Sequence, residues 1–366
     1  MNIYINGFSS NVGGGITYLE NLINYIPRKK INVTLFCSPS FKKEDSYNIK
    51  TINSNLLAKS ILLRTLWEIF ILPFYLYKHD VDILFTLGAF QFTPTFRKTK
   101  KIMMFRNALP FSSELKKTSL LREKIKNFLL KYLILKSIQN SESVIFVSNY
   151  GYKLIEKCIK IKKIVITHGV NLKFIIYDKK IKKPSYLPER YILYVSRFEF
   201  YKGHLPLIQA YSKLPDNVRS KFPLVLIGET NSEVFKIVQE KVKFLNLENN
   251  IFFYGKVSNS DLPAFYKYSH LIYFGSSCEN CPNILLESIG SGRPILCSNI
   301  EANREICRDS VTYFDHNNEK SLYTIFLKML LDKRKRRVLH YKRIKIINLY
   351  CLKKSMISTW NLLLHS

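Results

Sequence analysis

The 366-residue chain is long enough for two domains of roughly 100–200 residues each, and its hydrophobic content of 47% allows real cores to form. Fifty-seven Lys and Arg against 27 Asp and Glu give a net charge of +30. That excess points to an anionic partner (nucleic acid, a phosphorylated substrate or an acidic membrane surface), against a background generally rich in Lys, Ile, Asn, Tyr and Phe. Seven cysteines are scattered singly except for Cys278 and Cys281, with no second pair or His cluster, which speaks against a zinc site and fits free thiols in a reducing cytosol.

The opening MNIYINGFSS has neither a basic leader nor an apolar signal core, so export is not expected. Continuous apolar runs then predict strands at 2–6, 32–37, 81–87, 101–105, 143–148 and 163–168, with helical patterns at 16–26, 56–78 and 119–139. Residues 56–78 are long enough to span a bilayer. However, Lys59, Arg64, Glu68 and Pro73 interrupt them, so a buried or partly exposed amphipathic helix, whose apolar aromatic face could touch a membrane surface, is expected instead. A basic, proline-containing stretch at 173–190 reads as a linker.

Strands resume at 191–196, 223–228, 250–255, 270–275, 293–298 and 310–315, with helices near 204–214, 232–246, 261–268 and 283–291. The series predicts an α/β protein of two Rossmann-like domains facing each other across a cleft, with ligands beyond the carboxyl ends of the strands. The stretch 328–345 is strongly basic, notably DKRKRR at 332–337, and suits anionic lipid or a polyanionic acceptor.

Three stretches follow strands and carry chemistry. NVGGGITYLENLI (11–23) offers glycines, Gly14 and Gly15 among them, and helix-start amides that favour an anion. YVSRFEFYKGH (194–204) presents Arg197 as a forked donor and Lys202 as a point charge, a pairing suited to a diphosphate. CENCPNILLESIGSG (278–292) puts Glu279 in a loop and Glu287 in the following helix, whose start is expected to be capped by Asn283 or nearby amides. A carboxylate accepts two hydrogen bonds and so suits vicinal hydroxyls; the two acids fit different points along one extended nucleotide-sugar.

Glu279 and Glu287, with seven residues between them, resemble the EX7E motif of retaining glycosyltransferases of family 4 with the GT-B fold. GGGITYLENL, SRFEFYKG, LIGE (226–229), FYGKVSNSDLPAFYKYSH (253–270) and CPNILLESIGSGRPIL (281–296) fall in the order of that family. The resemblance implies domains at 1–172 and 191–350 around the linker 173–190, with a helix in 351–366, centred on Ser355 to Leu364 and including Trp360, returning to the first domain. It implies that Arg197 and Lys202 hold the donor diphosphate, Glu287 binds ribose and Glu279 contacts the transferred sugar. Amides at Asn283 and Ile284 would meet sugar or phosphate, Lys256 and Val257 would edge the nucleobase, and Gly14 and Gly15 would line the donor site. Where many relatives carry a first-domain histidine after a strand comparable to KIMMF, this chain reads FRNALPF; Arg106 and Asn107 stand there as possible acceptor-side groups.

The expected partners are therefore a nucleotide-sugar, a lipid-linked or oligosaccharide acceptor and an anionic membrane surface at the inner face of the plasma membrane. No cofactor, metal or nucleic acid is expected. A metal-dependent transferase would use a D-x-D motif, but Asp80 and Asp82 in HDVDILF precede a strand instead of ending one. The alternatives are a nucleotide-sugar 2-epimerase of the same layout and a basic nucleic-acid-binding protein, although no helix-turn-helix, zinc finger or aromatic RNA-binding motif is evident.

Overall fold

Short strands that are apolar on both faces have nowhere to go but the middle of a layered sheet, and here they assemble into two separate parallel sheets. The structure, a computed structural model, describes residues 1–10, 13–27, 31–41, 48–88, 90–96, 98–112, 121–175, 181–332, 342–343 and 345–366. Unit 1 comprises Met1–His168 and Lys353–Ser366; unit 2 comprises Gly169–Leu352. Unit 1 ends at His168 and not at residue 172 because Val170 already bridges to Cys351 and donates its amide to the Tyr350 carbonyl at 2.8 Å within unit 2. The expected linker thus begins inside unit 2.

In unit 1, β1 (Asn2–Asn6), β2 (Asn32–Cys37), β3 (Ile49–Asn53), β4 (Ile83–Thr86), β5 (Lys100–Phe105), β6 (Ser143–Phe146) and β7 (Ile164–Val165) pair in the order β3-β2-β1-β4-β5-β6-β7. The edge strand β3, IKTIN, was not anticipated, since its half-polar pattern lacks the continuous apolar run of a central strand. Tyr4 lies opposite Leu84, Thr86 opposite Met103 and Met103 opposite Val144, so these residues share one face of the sheet.

Residues 56–78 form three helices, not one: Asn55–Lys59, Ile61–Phe70 and Leu72–Lys78. Ser60 makes the first break, its hydroxyl capping the Leu63 amide at 3.3 Å, and Pro73 sits in the first turn of the third helix. The last helix, Leu352–His365, belongs to unit 1 from Lys353 onward. Its buried Trp360 donates from Nε1 to the Leu22 carbonyl at 2.9 Å, and its Thr359 hydroxyl meets the Tyr18 hydroxyl at 2.9 Å, so it packs on the Gly14–Asn24 helix.

In unit 2, β8 (Ile192–Val195), β9 (Leu224–Ile227), β10 (Ile251–Phe253), β11 (Leu271–Phe274), β12 (Ile295–Ser298) and β13 (Thr312–Phe314) pair in the order β10-β9-β8-β11-β12-β13. All the pairings are parallel. Helices Asp216–Lys221, Glu301–Cys307 and Glu319–Leu331 add to the expected ones. Of the basic run 332–337, residues 333–337 lie outside the described residues.

Candidate functional site

The strand order of unit 2 turns back between β8 and β11: the chain runs outward from β8 to β9 and β10, then returns to β11 on the other side. Loops after two strands that diverge in this way leave a crevice at their carboxyl ends, which is where open α/β sheets bind ligands. The loop after β8 carries Arg197 and Lys202; the loop after β11 carries Glu279 and leads into the Asn283–Gly290 helix. Residues that the sequence separates are brought to one edge by topology.

Lys202 and Glu279 meet there, Nζ to Oε1 at 2.6 Å, with side chains only 13% and 11% exposed. The sheet itself holds the lysine in place. Tyr194 of β8 donates its hydroxyl to the Lys202 carbonyl, and Tyr273 of β11 donates to the Gly203 carbonyl at 3.4 Å. Gly203 has φ +73°, and a Cβ there would stand 2.5 Å from the Gly275 carbonyl oxygen, so only glycine lets this turn approach the end of β11. The Lys202 ammonium also lies 4.8 Å from the Tyr201 ring centroid, and the Tyr201 carbonyl accepts the Ser277 amide at 2.7 Å. Nearby His204 is buried and stacked on Phe198; burial and Lys202 push its pKa down to about 3, so it stays neutral near pH 7.

The Asn283–Gly290 helix is not capped by the Asn283 side chain. Its N-cap is Pro282, whose carbonyl accepts the amides of Leu285 and Leu286 at 3.1 and 3.2 Å, leaving Asn283 and Ile284 as the first two helical residues at the crevice. Glu287 follows one turn in and receives the Tyr266 hydroxyl at Oε2, 3.2 Å away. Burial raises its pKa to about 7 against the opposing effects of that hydrogen bond and of Lys173. Gly290 makes the last arrangement possible: a Cβ there would lie 2.7 Å from Val170 Cγ1, so its absence lets segment 170–174 close on the helix. Phe174 then packs edge-on against Tyr266. Tyr266, Tyr201 and Lys173 were missed in the sequence because each is ordinary in its local pattern and acquires a role only through packing.

Arg197 shares this sheet edge but pairs with Glu199, two residues on, and is half exposed. Lys256 follows β10 and pairs with Glu229 at 3.2 Å, while Gly228 donates its amide to the Gly255 carbonyl at 2.9 Å and ties the two loops together; Val257 is half-buried beside them. Each of the three cations is thus balanced by one carboxylate, an arrangement that a phosphate-bearing ligand can re-pair.

The remaining expected residues lie in unit 1, whose strand order turns back between β1 and β4. Gly14 and Gly15 open the helix after β1, and a Cβ on Gly15 would stand 2.9 Å from Ser10 Cα. Arg106, after β5, donates to Ser10 Oγ at 3.4 Å and sits over the Tyr18 ring; the Asn107 side chain accepts the Leu109 amide at 3.2 Å. A buried histidine does stand in this neighbourhood: the His168 ring centroid is 5.2 Å from that of Tyr18, and burial with Arg106 pushes its pKa down to about 3. Asp82 closes the amino edge of the sheet by accepting the Asn2 amide at 2.7 Å, and Asp80 adopts φ +46° in the preceding turn. Among the described residues, no three His, Cys, Asp or Glu side chains cluster as metal ligands.

Two family profiles divide the chain: "Glycosyltransferase Family 4" matches residues 12–174 and "Glycosyl transferases group 1" matches 177–345. O-antigen chain mannosyltransferase B of Escherichia coli is 29% identical over 145 residues, covering 39% of this chain and 37% of that enzyme, so the match spans little more than a third of the relative. Sucrose-phosphate synthase from Thermosynechococcus elongatus superposes with a TM-score of 0.79 at 16% identity, covering 100% of this chain and 98% of that one. Anabaena HepE, solved in complex with UDP and glucose, gives a TM-score of 0.73 at 14% identity with 100% of both chains covered. Two parallel Rossmann-like units in one chain, with these likenesses, establish the GT-B fold.

Proposed function

The chain belongs to the family 4 glycosyltransferases, and on that premise we propose that it moves a sugar from a nucleotide-sugar donor to a hydroxyl of a lipid-linked glycan in bacterial surface polysaccharide assembly, with retention of anomeric configuration. The observation that carries this reading is the Lys202–Glu279 pair at the β8/β11 reversal, beside the start of the Asn283–Gly290 helix. In this reading Lys202 and Arg197 bind the donor diphosphate and stabilise the charge that grows on it as the anomeric carbon–oxygen bond breaks. The acceptor oxygen bonds to the anomeric carbon on the face the diphosphate leaves, and its proton passes to the departing phosphate.

Glu279 orients the transferred sugar, the amides of Asn283 and Ile284 meet its oxygens, Glu287 binds the ribose and Lys256 with Val257 borders the base. No divalent ion is required, because the two cations supply the charge. The enzyme works as a peripheral protein at the cytoplasmic face of an anionic membrane. The named relatives make UDP- and mannose-containing donors the first to try. Incubating the purified protein with UDP-, GDP- and dTDP-sugars and an acceptor, and following nucleoside diphosphate release, tests the reading; no release from any donor would overturn it.

A further inference from the structure

The helix Ile61–Phe70 is built inside out. Its two charged residues, Arg64 and Glu68, are buried at 8% and 1% exposure, whereas Leu62, Leu66 and Phe70 are 69%, 44% and 62% exposed. Both sets repeat every fourth residue, so they form opposite stripes of one helix. The inward stripe is partnered at one oxygen and one guanidinium nitrogen: Glu68 Oε1 accepts the Asn6 side-chain amide at 2.8 Å, and Arg64 donates to the Leu57 carbonyl at 3.2 Å. A helix that faces water normally turns its apolar stripe inward.

The outward apolar surface continues beyond this helix. Phe74, 65% exposed, packs its ring 5.3 Å from that of Phe96, itself 59% exposed. The helix Leu121–Gln139 adds Phe128 at 72%. Residues 55–78 pack on Tyr4 and Leu84, and the Leu121–Gln139 helix on Met103 and Val144, which the register puts on a single face of the sheet. The two layers therefore present their apolar sides in the same direction. Close to these residues in the chain, Lys59, Lys78, Lys98 and Lys124 are exposed, and the single acid between 55 and 78 is the buried Glu68.

We propose that this face of unit 1 is a bilayer-docking surface, seating Leu62, Phe70, Phe74 and their neighbours at the headgroup–acyl boundary of an anionic phospholipid leaflet while the flanking lysines hold the headgroups. The proposal rests on the reading that the enzyme works at a membrane, and it assigns the surface. Exposed apolar side chains beside lysines, on a stretch 55–78 that exposes no acid, match such a leaflet in both polarity and charge. Among the described residues no helix is long and apolar enough to cross it.

The test is sedimentation of the full chain with mixed phosphatidylethanolamine–phosphatidylglycerol vesicles and with pure phosphatidylcholine vesicles, for wild type and for Leu62→Ser/Phe70→Ser/Phe74→Ser. The wild type should bind the anionic vesicles, and the triple variant should bind them about tenfold or more weakly, given the value of each buried methylene. A Phe70→Trp variant should show a blue-shifted emission that brominated lipid quenches, which reads insertion without relying on the triple variant. Equal binding by wild type and triple variant would overturn the assigned face while leaving membrane association intact. Absence of binding by wild type would overturn both. A lipid-free dimer that the triple variant converts to monomer would show instead that a second copy covers the face.

Discussion

Lys202 and Glu279, 77 residues apart in the chain, meet at 2.6 Å where the second sheet reverses its strand order. The pair joins the loop after β8 to the loop after β11, and two tyrosines on those strands fix the turn that carries the lysine. Removing either partner leaves the other poorly solvated, so the pair is expected to be sensitive to substitution.

Lys202→Ala is expected to lower the turnover rate by about 10²–10³, the range for loss of one preorganised donor to a developing oxyanion. Arg197→Ala is expected to fall in the same direction. Steady-state kinetics of diphosphate release measures both; wild-type rates in both variants would move the phosphate site elsewhere.

Gly203→Ala should be destabilising by about 1–3 kcal/mol, from a strained left-handed backbone and crowding against the neighbouring carbonyl. The structural basis is φ +73° and a Cβ position 2.5 Å from the Gly275 oxygen. Urea denaturation with an unchanged m-value would register it. The same variant should raise the donor KM, because the turn it distorts positions Lys202.

Much of the fold was legible because short apolar runs bounded by turn residues suit buried strands, and because Arg197, Lys202, Glu279 and Glu287 sit at strand ends or helix starts where type and spacing are informative. What was not legible depends on the third dimension. The run 56–78 looked like one amphipathic helix, but Ser60 and Pro73 divide it, and its charged residues turned inward because Asn6, at the end of β1, offers Glu68 a buried partner. Tyr266 reaches Glu287 from a different helix, and the charge of Lys173 acts on it from segment 170–174, which Gly290 lets close on the helix; no local pattern announces either. His168 could have been noticed as the last residue of the final apolar run of the first domain, 163–168, yet nothing in that run points it toward Tyr18 and Arg106.

Glu287 and Glu68 should each make stability fall as pH rises. Burial raises both carboxyls to about 7 from the ordinary 4.5, so between those values the folded state holds protons that the unfolded state has released. Folding is then progressively disfavoured through that window, and the penalty is complete above about 7. Glu287→Gln and Glu68→Gln should therefore gain stability relative to wild type as pH rises from 4.5 through 7, with no further gain beyond. Chemical denaturation across pH would show this difference; a pH-independent offset would mean the carboxyls titrate normally.

Activity should survive EDTA and gain nothing from added manganese, because Arg197 and Lys202 provide the charge that a divalent ion otherwise supplies. Loss of diphosphate release on chelation, restored by manganese, would contradict this.

The stereochemistry of the product tests the central claim most directly. Proton NMR of the newly formed glycosidic linkage, compared with the anomeric coupling in the nucleotide-sugar consumed, reads whether configuration is kept. The account predicts an unchanged configuration, with formation of that product suppressed in Lys202→Ala. An inverted linkage, or a retained one made equally well by the variant, would contradict it.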